Sequence, residues 1–101
     1  MLTKRTELSL KVYDVMKEVK AMLKEKEEKA EWWESELSSA EVECITAEDL
    51  ILLYDTPEMN KRLARAYNKE RHYHYIYRKI CNECEELEEA LAGLEKADYW
   101  L

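Results

Sequence analysis

Apolar and small side chains recur through the first half of the chain at Val12, Met16, Val19, Leu23, Ala30, Trp33, Leu37, Ala40 and Cys44. The intervals alternate between four and three residues once Lys26 is admitted as a polar member. That is the rhythm of a helix that packs along one stripe. Neither Gly nor Pro interrupts it, so the pattern predicts a long helix over about residues 8–44. Ser38-Ser39, with Glu41 three residues after Ser38, resembles a capping box and marks a place to kink or restart. Thr46 ahead of Ala47-Glu48-Asp49 reads as an N-cap with an acidic first turn, so a short second helix is expected over about 47–54.

Thr56-Pro57-Glu58 is the clearest helix start in the chain: a capping hydroxyl, a proline suited to the first helical position, and a carboxylate suited to the helix dipole. A second 4-3 seam follows through Met59, Leu63, Ala66, Glu70, Tyr73, Tyr77, Ile80, Cys84, Leu87, Leu91 and Leu94, predicting a helix over about 57–96. Gly93 is the expected weak point, and Tyr99-Trp100-Leu101 the expected apolar tail that folds back.

Two long helices joined by a short insert predict an antiparallel hairpin, and the charges test this independently. Residues 1–26 carry +3, 27–56 carry -9, 57–80 carry +5 and 81–101 carry -6. Folding the chain near residue 50 sets each positive block beside a negative one, whereas a parallel pairing of two copies sets like against like. That register places Ala30 near Tyr73, and Ala66 near Trp33 and Leu37, small opposite large. A shift of about one turn would let the two polar seam members, Lys26 and Glu70, meet and fix the register.

Composition narrows the class further. One Gly and one Pro in 101 residues exclude an all-β fold and any glycine-rich phosphate loop. Three cysteines, an odd number, argue against a disulfide framework. The opening MLTKRTELSLKVYDV has no apolar run long enough for a signal peptide or a membrane span, so no membrane contact and a cytoplasmic place are expected. Seven Tyr and three Trp with no Phe favour half-wet seams and interfaces.

A two-helix hairpin buries only one stripe per helix, and apolar residues remain outside it. Leu8, Val15 and Met22 form a flanking row on the first helix; Tyr67, His74 and Cys81 form one on the second. Trp32, Ile76 and the run Leu50–Tyr54 also lack a partner in this reading. Self-association into a dimer or larger helical bundle is the expectation that follows.

Chemistry-bearing motifs are few. Cys81-Asn82-Glu83-Cys84 puts two thiols on one helical face, with His74 seven residues before as a candidate third metal ligand. Zinc asks for four ligands, so Cys84 reads as a small seam residue and Cys81 as a flank, and no metal or cofactor is expected. Arg71-His72-Tyr73-His74-Tyr75-Ile76-Tyr77-Arg78-Lys79 interleaves bases and aromatics as nucleic-acid binders do. On a helix, however, Tyr73 and Tyr77 fall in the seam, and a net charge of -7 opposes non-specific nucleic-acid binding.

Glu28-x-x-Glu31 and Glu95-x-x-Asp98 resemble the paired carboxylates of the all-α nucleotide pyrophosphatases of the MazG type. The resemblance covers eight residues and implies magnesium held between two such pairs on facing helices, with hydrolysis of a nucleotide. The hairpin sets Glu28 near residue 73 rather than near Glu95. Neither His72 nor His74 has a Glu three residues before it, as di-iron bundles require.

The reading that remains is an all-α, non-catalytic protein–protein interaction module. Its binding surfaces would be the acidic face of the first helix, with Glu27, Glu28, Glu31, Glu34 and Trp32, or the apolar tip at Leu50, Leu53 and Tyr54. One form is a small acidic inhibitor of a host or defence protein, encoded by a mobile element; another is a structural or adaptor homo-oligomer. A metal-dependent nucleotide hydrolase ranks last.

Overall fold

The structure, a computed structural model, describes residues 3–100. Among these it contains two helices, α1 (Lys4–Leu53) and α2 (Pro57–Trp100), and no strand. The fold is an all-α helical hairpin. Thr3 caps α1, its Oγ1 accepting from the Thr6 amide at 3.1 Å. Thr56 caps α2 in the same way, accepting from the Met59 amide at 3.3 Å, and Pro57 is its first residue as expected.

The short helix expected over 47–54 does not exist as a separate element. α1 runs unbroken through Thr46 to Leu53. The physical reason is the seam: its rhythm continues past Cys44 to Ala47, fully buried, and Ile51, half-buried. No Gly or Pro offers a break between them, so packing along the stripe overrides the capping signal of Thr46, which is exposed. The Ser38-Ser39 signal is overridden likewise, both serines standing exposed on a continuous helix. α1 stops where the residue before Pro57 must leave the helical region. Asp55 and Thr56 then hold the turn, each accepting from the Asn60 side chain, at 2.9 and 3.0 Å.

Gly93 does not end α2, and no residue among those described has a positive φ. Tyr99 and Trp100 do not fold back: both are helical, 82% and 76% exposed, and packed edge to face on each other alone among rings. Leu101 lies outside the described residues.

The chain divides into two compact units, a turn unit (Lys29–Ile80) and a terminal unit (Met1–Glu28 with Cys81–Leu101). In the turn unit, Trp33 meets Tyr73 edge to face with centroids 5.2 Å apart, Lys69 Nζ pairs with Glu43 Oε1 at 2.9 Å, and the Tyr67 hydroxyl donates to Glu48. Its buried apolar side chains are Leu37, Ala40, Cys44, Ala47, Ala66 and Ile80. In the terminal unit, Ser9 Oγ donates to Asp98 at 3.0 Å and Lys26 pairs with Glu83 at 2.5 Å, while Cys84 is buried.

These contacts correct the expected register. The chain turns at Tyr54–Thr56 rather than near residue 50, so every residue of α1 meets a later residue of α2. Trp33, not Ala30, faces Tyr73. The Glu48–Tyr67 and Glu43–Lys69 contacts together set Ala66 at the height of residues 46–49 of α1, around the buried Ala47, instead of beside Trp33 and Leu37. Lys26 finds Glu83 rather than Glu70, and Glu70 instead lies close enough to Cys44 for its carboxylate to act on that thiol.

Candidate interaction surfaces

Every seam residue named from the sequence is buried or half-buried, so the functional question moves to the other faces of the helices. Their chemistry follows from the two cross-helix rows that flank the seam. In the turn unit these rows pair carboxylates of α1 with donors of α2: Glu43 with Lys69, and Glu48 with Tyr67. Hydrogen bonds to these carboxylates raise the pKa of both donors, and the bond to Glu83 does the same for Lys26 in the terminal unit. Sequence reading missed these partners because the assumed turn lay some five residues too early. The continued seam at Ala47 and Ile51 was the signal that would have placed it.

The acidic face of α1 is open to water. In the turn unit Glu31 and Glu34 are exposed, and Trp32 is 57% exposed, its ring edge to face with Trp33 at 4.9 Å. In the terminal unit Glu27 and Glu28 are exposed. The apolar tip is only partly free. Leu53 and Tyr54 stand 74% and 61% exposed, but Leu50, expected there with them, is half-buried beside the seam, as is Ile76 on α2.

The basic–aromatic stretch of α2 divides as its helical period requires. Tyr73 and Tyr77 turn into the seam, and Lys69 Nζ lies 5.6 Å from the Tyr73 ring centre. The outer side forms a groove of about 590 Å³ lined by Tyr67, Glu70, Arg71, His74, Tyr75 and Arg78. Tyr67 is 40% exposed and His74 is exposed. Glu70 and the bond from Tyr67 to Glu48 put negative charge at the inner edge of this cationic strip.

The three cysteines separate by environment. Cys44 and Cys84 are buried, while Cys81 is half-buried on the flank. Burial, then the Glu70 carboxylate, pushes the Cys44 thiol up to about 11. Burial, then the neighbouring Cys81, raises the Cys84 thiol. Among the described residues no group of three or more His, Cys, Asp and Glu side chains is gathered to hold a metal ion. Iodoacetamide at neutral pH is therefore expected to label Cys81 first, with Cys44 and Cys84 reacting only on unfolding. Peptide mapping of a time course checks this, and early labelling of Cys44 would contradict the burial.

The carboxylate pairs that resemble a pyrophosphatase site do not come together within the terminal unit. Asp98 stands against Ser9, and Glu28 lies about 28 Å further along α1 at the usual helical rise. No helix among the described residues is long and apolar enough to cross a membrane. Comparisons with protein-family models, with curated proteins and with solved structures find no match for this chain, so its function is argued from its own residues.

Proposed function

We propose that the chain is a non-catalytic protein–protein interaction module that engages a protein target through the outer faces of its helices. The observation that carries this reading is the set of large side chains left in water by a hairpin whose seam is already filled: Trp32, Leu53 and Tyr54 in the turn unit. Large exposed aromatic side chains of this kind are enriched at the centres of protein–protein contacts. The acidic face beside Trp32 supports a basic partner surface, and an inhibitor that fills a basic, nucleic-acid-binding groove is the form that best uses separated charge.

The test places a photo-crosslinking amino acid at Trp32 or at Leu53 in cells and identifies what each captures. A protein captured at Trp32 is expected to be lost when Glu31 and Glu34 are reversed to Lys. That binding should weaken steeply with salt, because the screening length falls from about 10 Å at 0.1 M to about 3 Å at 1 M. Capture through the tip should resist salt and vanish on Leu53→Asp. Absence of any protein adduct at both positions would overturn the reading.

A further inference from the structure

The terminal unit carries a face that its own seam leaves uncovered. On α1 it is the row Leu8, Val15 and Met22, which are 49%, 44% and 52% exposed at seven-residue intervals. On α2 the matching side is built from small residues: Ala90, Gly93 and Ala97, all exposed. The two rows share one side of the unit. Met22 lines a groove of about 270 Å³ with Glu83, Glu86 and Leu87, and Ala90 and Gly93 lie two turns beyond Glu83 and Glu86 on the same stripe.

Gly93 is the only glycine in the chain and sits inside a helix, where it costs about 1 kcal/mol relative to Ala. The hairpin does not require it. It has no positive φ, and a Cβ built there would meet nothing within 4 Å. A residue that weakens the helix and answers no need of the fold implies a close approach from outside. The cross-helix contacts Ser9–Asp98 and Lys26–Glu83 set Val15 level with Gly93. Leu8 and Met22 fall beyond Ala97 and Ala90, one on each side. Val15 thus stands at the height of the gap at Gly93, with Leu8 and Met22 flanking the small-residue stretch.

We propose that this face binds a second copy of the chain about a two-fold axis parallel to the helices, with Val15 of each copy seated over Gly93 of the other. This deepens the reading of the chain as an interaction module by naming one partner. Such an axis lays α1 of one copy against α2 of its partner, antiparallel and in the register the hairpin already uses. Charge complementarity favours that arrangement: residues 1–26 carry +3 and residues 81–101 carry -6, so each new helix pair sets opposite blocks together. An isologous contact needs a face that carries both knob and hole, and this one does.

Sedimentation equilibrium on the full chain tests it. The wild type is expected to dimerise at tens of micromolar. Gly93→Leu, which meets open space in a single copy, should keep or raise helix content by circular dichroism while weakening the dimer at least tenfold. Val15→Lys with Met22→Lys should do the same from the other side, and serves if Gly93→Leu loses helix. A wild type that stays monomeric, or a dimer indifferent to both variants, overturns the proposal. The crosslink at Trp32 or Leu53 reports separately: its persistence in a monomeric chain leaves the interaction reading standing while this face falls.

Discussion

Ala47→Glu is expected to unfold the turn unit. Ala47 is 1% exposed, and the Glu48–Tyr67 and Glu43–Lys69 contacts put it within about half a turn of the height of the buried Ala66, where small side chains let the helices close on each other. A carboxylate there is forced into the seam, and taking a charge out of water costs several kcal/mol against a total stability of about 5–15 kcal/mol for a small domain. Ala47→Leu isolates the steric part and should cost about 1–3 kcal/mol by overpacking. Thr46→Leu, one residue earlier and exposed, should stay within about 0.5 kcal/mol. Urea melts followed by circular dichroism give all three values. If Thr46 instead capped a separate helix, Thr46→Ala would cost about 1 kcal/mol and Ala47→Leu almost nothing, so the order of the effects decides between the two structures.

Stability should also collapse on the alkaline side. Cys44 in the folded chain holds its proton up to about 11, against 9.0 for a free thiol. A group whose folded pKa is raised contributes fully below the unfolded value and loses that contribution as pH climbs through the folded one. The stability tied to Cys44, on the order of 1–2 kcal/mol, is therefore present below pH 9 and gone by about pH 11. Lys26, Lys69, Tyr67 and Cys84 are shifted in the same direction, so their contributions also fade with rising pH. Melting temperatures measured from pH 7 to 11 should fall above pH 9. Glu70→Gln, which removes the charge beside the thiol, should flatten part of that slope. A profile that drops below pH 8, or one unaffected by Glu70→Gln, would contradict the Cys44–Glu70 assignment.

Much of this fold was legible because long helices obey a simple period. Both seams were readable residue by residue, and Thr56-Pro57 located the start of α2. What misled was local chemistry read without its competitor. Thr46 and Ser38 carry good capping side chains, but a cap is worth about 1 kcal/mol, and a helix already paired along its length gains more by continuing. That one error moved the turn and hence the partners of Lys26, Ala30, Ala66 and Glu70. The surfaces were half legible. Exposure of Glu31, Trp32, Glu34 and Leu53 follows from the seam alone, whereas the half-burial of Leu50 depends on where α1 ends. The open space around Gly93 was not visible in the sequence, where a glycine near the end of a helix reads as a stop.

The three-residue connection, Tyr54 to Thr56, also orders the route by which the chain assembles. Cross-helix partners are 19 residues apart at Tyr67–Glu48 and 26 at Lys69–Glu43, but 57 at Lys26–Glu83 and 89 at Ser9–Asp98. Closing each loop afresh costs entropy that grows with its length, but a hairpin already shut at its turn pays only a small increment for each further rung. Assembly should therefore zip from the turn outward, nucleated where Ala40, Cys44, Ala47 and Ala66 pack, with Ser9 and Asp98 the last to close and the first to fray.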